Sequence, residues 1–254
     1  MDLANSILQS FNQKKSLNPD IWTLDKNKNY RLRREVRDKL LLSADDFLNF
    51  VDLDNLDCDM DTQQCDIGDI TITGSICNYN WSQYSDIDLH ILIDFELIDE
   101  NVGLVKNILN AKKNLWNASH DIQVKGYEVE VYAQDVDEVH HSSGVYSVLF
   151  DKWLVSPKKN SVDIDINKVL EKSEGWMEII DSLQHQAYQK SPQEILDLVE
   201  KIKTKLKKFR ATGLEKGGEY SYENLAFKFL RRSGYIKKLF DLKNKVLDLS
   251  LSLD

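Results

Sequence analysis

Residues 85–94, Ser-Asp-Ile-Asp-Leu-His-Ile-Leu-Ile-Asp, alternate in a way that only a β-strand explains. Successive side chains of a pleated strand point to opposite faces. Ile87, Leu89, Ile91 and Ile93 therefore share an apolar face, and Asp86, Asp88 and His90 share the other. Residues 69–73, Asp-Ile-Thr-Ile-Thr, read as a second strand. Ile-Gln-Val-Lys at 122–125 and Gly-Tyr-Glu-Val-Glu-Val-Tyr-Ala-Gln-Asp at 126–135 read as two more, a hairpin turning at Gly126.

Around these strands the period changes. Val36, Leu40, Ala44 and Leu48, with Phe47 and Val51, make an amphipathic helix, and residues 100–118 form another centred on Val105, Ile108, Leu109 and Leu115. After about residue 160 every patterned stretch is helical. Trp176, Ile179, Ile180 and Leu183 lie on one helix. A second opens at Ser191-Pro192-Gln193-Glu194, where serine caps, proline fits the first turn and glutamate closes a capping box. Ile195, Val199, Ile202, Leu206 and Phe209 are its apolar stripe, with Gly213, Gly217 and Gly218 at its end. Two further helices cover roughly 221–233 and 235–250. The first thirty residues hold one short helix and a loop around Pro19, and the Gly144–Ser147 segment reads as a turn or a helix start. The layout is an α/β core followed by an all-helical part: 1–157 with the N-terminal helix, and 158–254, divided near Ser156-Pro157-Lys158-Lys159.

Composition excludes several classes. No run approaches the roughly 18 apolar residues of a membrane span, and the N-terminus has its basic residues after its apolar ones, unlike a secretory signal. A cytoplasmic protein is expected. Cys58, Cys65 and Cys77 lack paired spacing, so they read as thiols rather than as a zinc or disulfide framework. The acidic stretch 52–66 fails as a calcium loop, since Thr62 stands where glycine is needed and Gly68 where glutamate is; it reads as a solvated loop. The net charge of −9 is uneven. Residues 201–245 hold fourteen basic against four acidic side chains, a local +10 that leaves −19 elsewhere. Such a region can face a polyanion, or it can be a set of solvated lysines.

The chemistry-bearing stretch runs from Gly74-Ser75 to Asp86-Ile87-Asp88. Glycine lets a backbone approach phosphate closely, and Ser75 with the amides of a short following helix can donate to phosphate oxygens. Asp86 and Asp88, two apart on a strand, leave one face about 6–7 Å apart. Their carboxylates can converge on two divalent ions about 3.5–4 Å apart, as in two-metal phosphoryl or nucleotidyl transfer. Hard oxygen ligands favour magnesium, with manganese able to substitute. A third carboxylate is needed from a neighbouring strand. Glu128 and Glu130 share a face there; Glu130, between Val129 and Val131, is the choice and Glu128 the reserve.

Together, Gly74-Ser75, the first aspartate eleven residues after the serine, Ser-Asp-Ile-Asp-Leu and the later hydrophobic-Glu-hydrophobic strand resemble the signature of DNA polymerase β-like nucleotidyltransferases. The motifs cover about residues 69–134. The resemblance implies an α+β fold, a small mixed sheet flanked by helices. It also implies two magnesium ions and transfer of a nucleoside monophosphate from a nucleoside triphosphate. Gly74 and Ser75 would match its triphosphate turn, and Asp86, Asp88 and Glu130 its catalytic metal ligands. Outside that core the chain resembles predicted nucleotidyltransferases encoded by tailed bacteriophages, at Tyr79-Asn80-Trp81, Leu115-Trp116, Gly144–Ser147 and 217–225.

Tyr222, Asn224, Lys228 and Arg231 begin a basic helix that can meet base and phosphates, although core packing of the tyrosines is equally open. His90 reads as packing against the site; His120, His140 and His141 read as structural or exposed, and Trp153 and Trp176 as core. The acceptor is a hydroxyl: an RNA 3′ end such as that of tRNA, reached through the basic region 201–245, a small molecule, or a protein side chain. A non-catalytic nucleotide-binding or antitoxin-like module is the alternative, and a cyclic-oligonucleotide synthase ranks below both because only about 95 residues remain for its second lobe.

Overall fold

A computed structural model describes residues 3–52, 67–138, 142–159 and 163–253, and the backbone of two short strands at 58–59 and 64–65. In chain order the elements are α1 (Leu3–Gln9), β1 (Trp22–Leu24), β2 (Tyr30–Leu32), α2 (Arg34–Val51), β3 (Cys58–Asp59), β4 (Gln64–Cys65), β5 (Asp69–Thr73) and β6 (Ile87–Ile93). There follow α3 (Val102–Ser119), β7 (Gln123–Val124), β8 (Tyr127–Asp135), β9 (Val145–Ser147), β10 (Lys152–Val155), α4 (Ile166–Gln186), α5 (Pro192–Gly217), α6 (Tyr222–Arg232) and α7 (Tyr235–Leu251). Contacts divide the chain into two compact units, Gln13–Asn160 and a helical one made of Met1–Asn12 with Ser161–Asp254. The first twelve residues, kept with the sheet in the division at residue 157, thus group with the helices. Arg232 explains the grouping: it donates to Ser10 Oγ at 2.7 Å and lies 5.3 Å over the Phe11 ring.

The sheet unit is a mixed α+β layer. Six strands run in the order β10-β9-β5-β6-β8-β7. Only β6 and β8 pair in parallel; the other four pairings are antiparallel. Parallel neighbours need a crossover, and α3 lies within the one between β6 and β8. On one sheet face Ile70, Ile72, Ile87, Leu89, Ile91, Ile93 and Val131 are fully buried. The α2 stripe of Val36, Leu40, Ala44, Phe47 and Val51 packs into the same core. Trp22 joins it from β1, stacked on Trp153 at 4.7 Å and edge-on to Tyr146 at 5.0 Å. The short pairs β1–β2 and β9–β10 carry too few residues to show a period, and the sequence had suggested a turn or helix start where β9 stands.

The phase of α3 also differs from expectation. Val105, Leu109 and Trp116 are buried, whereas Ile108 and Leu115 are 48% and 60% exposed. Trp116 fixes the rotation, packed edge-on against Phe47 at 5.7 Å with its Nε1 donating to Asp46 at 3.1 Å. Most of the acidic stretch 52–66, and with it the calcium-loop question, lies outside the described residues, as do His140 and His141. Cys77 is a free, buried thiol.

In the helical unit, Ile195, Val199, Ile202 and Leu206 of α5 meet Leu183 of α4, Leu230 of α6 and Leu239 and Val246 of α7. The Ser191–Glu194 capping box is present. Gly213 does not end α5, which continues to Gly217. It lets α6 approach: a Cβ there would sit 2.5 Å from Glu223 Cβ and 2.8 Å from Ser221 Oγ. Ile179, expected on the buried stripe of α4, is 45% exposed. No described helix is long and apolar enough to cross a membrane.

The α3 rotation is testable by denaturant unfolding. Leu109→Ala should cost about 2–5 kcal/mol, the usual range for emptying a core site, and Ile108→Ala within about 0.5 kcal/mol. Equal losses at both positions would contradict the rotation.

Candidate active site

The polar face of the sheet is built by the strand registers. Thr73 pairs with Asp88 across β5 and β6, and Thr71 with His90. In the parallel ladder Asp88 pairs with Glu130 and His90 with Tyr132. Directly paired residues share a face, so Asp88, Glu130, His90, Tyr132 and Thr73 stand together, opposite the isoleucines. Glu130 is half-buried, whereas Glu128 is exposed and pairs with Gln123 at the β7 edge. Asp86 immediately precedes β6 and is half-buried.

Gly74 closes this face from the β5 end. Its φ of 80° lies in the region that favours glycine, and a Cβ there would come within 2.5 Å of Asp88 Oδ2. The turn that follows is shorter than the expected helix: Ser75–Cys77 is a single 3-10 turn. Asn78 Nδ2 donates to Gly74 O at 2.9 Å, and Trp22 Nε1 donates to Ile76 O at 2.9 Å. Ser75 Oγ lies 2.8 Å from Ser85 Oγ, which also accepts the Ser82 amide at 3.0 Å. This hydroxyl pair ties the Gly-Ser turn to the residue before Asp86. Trp81 anchors the intervening loop by donating from Nε1 to Ser16 O at 2.9 Å.

Tyr132 is the residue that the pattern did not single out. Its hydroxyl donates to Glu130 Oε2, its ring stacks on His90 at 5.1 Å, and Lys113 Nζ stands 4.7 Å over the ring. Burial, the bond to Glu130, and the charges of Asp88, Glu130 and Asp86, in that order, raise its phenol pKa far above the ordinary tyrosine value. The phenol therefore stays a donor at any physiological pH, and all three carboxylates lie near enough to act on it. The available signal was its place two residues after Glu130, on the same strand face. His90 Nε2 lies 3.2 Å from Thr73 Oγ1. Cys77 is raised well above a normal thiol by burial and then by the charge of Asp88.

These carboxylates present hard oxygens, the chemistry that magnesium or manganese takes, beside a glycine whose missing Cβ leaves room at Asp88. Among the described residues, no three His, Cys, Asp or Glu side chains are gathered closely enough to hold a cation as they lie. The Tyr132 hydroxyl already holds Glu130 Oε2, so an ion shared with Asp88 would compete with it for that carboxylate. The donor set fits a divalent ion in kind, although as they lie these side chains form no closed group among the described residues.

The helical-unit candidates sit in a different setting. Asn224 is buried, and its side chain is engaged within the fold: Nδ2 donates to Glu219 O at 2.7 Å, and Oδ1 accepts from Arg210 Nε at 3.2 Å. Tyr222 is half-buried, with Lys168 Nζ 5.6 Å over its ring. Lys228 is half-buried on α6, where Arg231 and Arg232 follow at the three- and four-residue spacing of one helix face. His120 stacks on Trp116 at 4.6 Å, a structural role.

No protein-family model matches the chain, and no curated protein or solved structure is significantly similar to it.

Desolvation, then repulsion from Arg232, Arg231 and Arg210, lowers the Lys228 pKa to about 8, against partial support from Glu219. Between that value and the ordinary 10.5 the native state binds fewer protons than the unfolded chain, so stability rises with pH across this window. Lys228→Met should therefore raise the melting temperature at pH 7, with the gain shrinking as pH climbs through 8 toward 10. A gain that does not depend on pH would contradict the assignment.

Proposed function

We propose that the chain is a divalent-metal-dependent nucleotidyltransferase of the polymerase β-like kind, moving a nucleoside monophosphate from a nucleoside triphosphate to a hydroxyl. The observation that carries this reading is the pairing of Asp88 with Glu130 in the parallel ladder, with Gly74 against the Asp88 carboxylate and Asp86 immediately before the same strand. Asp86, Asp88 and Glu130 would hold the two magnesium ions, or manganese in their place. When bound, such ions lower the pKa of the acceptor hydroxyl and offset the charge on the departing pyrophosphate.

The rest of the work falls to the chain. Gly74 gives its side-chain volume to the Asp88 carboxylate, and Ser75 can turn its hydroxyl from Ser85 to donate to phosphate oxygens. The Trp81 anchor and the Ser75–Ser85 pair hold the turn and Asp86 in fixed relation before substrate arrives, which lowers the ordering cost of binding. In the transfer itself the acceptor oxygen bonds to the α-phosphorus as the bond to pyrophosphate breaks in line, and the acceptor proton passes to solvent. Before the ions bind, Tyr132 keeps Glu130 on the reacting face. Within the helical unit, Tyr222, Asn224 and Lys228 of α6 are proposed to bind nucleotide in their own right; Lys228 suits phosphate best, since the Asn224 amide already serves the fold. The acceptor is an RNA 3′ end, a small molecule or a protein side chain, RNA being the one that the basic region 201–245 can bind, and the setting is cytoplasmic.

A second reading has its own support. The Tyr132–Glu130 bond and the lack of a closed three-ligand group among the described residues suit a non-catalytic module that binds nucleotide or a partner protein.

Labelled nucleoside triphosphates incubated with magnesium and RNA, small-molecule or protein acceptors separate the two. The intact chain should transfer label. Asp86→Asn/Asp88→Asn should fold normally and lose roughly 10³-fold or more, the several kcal/mol of metal stabilisation expressed as a rate. Unchanged transfer by that variant would sink the first reading. Magnesium-dependent triphosphate binding in calorimetry without any product would favour the second.

A further inference from the structure

A second feature lies wholly within the helical unit. Along α5, Lys205, Lys208, Phe209, Thr212 and Lys216 recur at intervals of one, three or four residues, which places them on one helix face spanning about 16 Å. They border a hollow of about 460 Å³ that α4 and α6 complete with Lys172 and Glu223. Four lysines against one glutamate give it a net +3, and the glutamate is already paired, 2.9 Å from Lys172 Nζ. The half-buried Phe209 is its aromatic surface, held edge-on by Trp176 at 5.6 Å, with Lys172 Nζ 6.0 Å from its ring centroid.

Solvated lysines alone leave the ring and the hollow unexplained, although Lys201, Lys207 and Lys245 of the same unit likewise form no ion pair among the described residues. Elsewhere in the unit Lys203 and Lys243 pair with Glu200, Lys237 with Asp241 and Lys238 with Asp181. Lys205, Lys208 and Lys216 form no ion pair among the described residues, although the charge of Lys216 acts on Glu223. Between Lys201 and Leu214, α5 carries no acidic residue at all. Like charges lined up around an aromatic ring repel one another unless an anion lies among them. A ligand that brings phosphates at intervals and a planar ring between them answers both halves of the surface, and a nucleic-acid strand with unpaired bases is such a ligand.

We propose that this hollow docks single-stranded nucleic acid, with phosphates on Lys205, Lys208 and Lys216 and a base against Phe209. The strand is held by backbone charge and by one stacked ring, so the site takes RNA or DNA with little regard for sequence. A duplex, whose bases are already stacked on each other, offers Phe209 nothing. This deepens the acceptor reading above in its partner, yet it holds or fails without the metal centre, because every residue invoked belongs to the helical unit.

The test is fluorescence anisotropy of labelled twelve-nucleotide oligouridine and oligothymidine with the full chain, without divalent ions. Both should bind, and log affinity should fall with log salt with a slope of about −2, the value for three phosphates on a single strand. Lys205→Gln/Lys208→Gln/Lys216→Gln should weaken binding by roughly tenfold or more and flatten the slope. Phe209→Leu, which keeps an apolar filler beside Trp176, should weaken the single strands but leave the salt slope intact. Asp86→Asn/Asp88→Asn should bind as the unaltered chain does, so loss of transfer and loss of docking are read separately. No binding at low salt, undiminished binding by the triple-lysine variant, or equal affinity for a duplex of the same length would each overturn the proposal.

Discussion

The parallel ladder between β6 and β8 is the constraint on which the rest depends. Its backbone hydrogen bonds set Asp88 beside Glu130 and Leu89 beside Val131 together. A slip of one residue would move the carboxylates into the apolar layer and the aliphatic side chains to the polar face. Ile87, Leu89, Ile91 and Ile93 are fully buried, so that slip would forfeit the centre of the core. Hydrophobic burial is thus the force that holds the polar side chains in register, although none of the buried residues touches the site.

The polar face has a balance of its own. Asp88 and Glu130 are paired on this face with Asp86 just ahead, and the structure sets neutral donors and space beside them. The Tyr132 phenol, kept protonated by burial and by those same charges, holds Glu130. His90 stacks behind it and meets Thr73. Gly74 yields its side-chain volume to Asp88. A divalent ion would hold these carboxylates more strongly, which is why the Tyr132–Glu130 bond reads as a contact that metal binding would exchange.

Much of this was legible in the residues, and the parts that were not have physical reasons. Long alternating strands such as 87–93 and the Ser191 capping box announce themselves, because pattern and local chemistry agree there. The three-residue strands β1, β2 and β9 are too short for a period, and tertiary pairing makes them. On α3 two adjacent apolar stripes compete, Leu104-Ile108-Leu115 and Val105-Leu109-Trp116; the tryptophan, with its bond to Asp46, decides which faces inward. Glycine is equally ambiguous by itself: Gly213 reads as a helix end but serves close packing of α6. At the site, Asp86, Asp88 and Gly74 came from spacing. Glu128 and Glu130 are the same to a period of two; the flanking valines favoured Glu130, and the register adds that it is the one paired with Asp88. Tyr132 needed contacts, since nothing in its type marks it as the partner of Glu130.

The central claim is that the carboxylates of β6 and β8 form one divalent-ion site. Crystals soaked with manganese and a nonhydrolysable nucleoside triphosphate, examined for anomalous scattering, test it directly. The account predicts manganese about 2 Å from oxygens of Asp86 and Asp88, with Glu130 swung from Tyr132 toward an ion. Nucleotide bound with no metal between these carboxylates, or manganese bound only elsewhere, would contradict it.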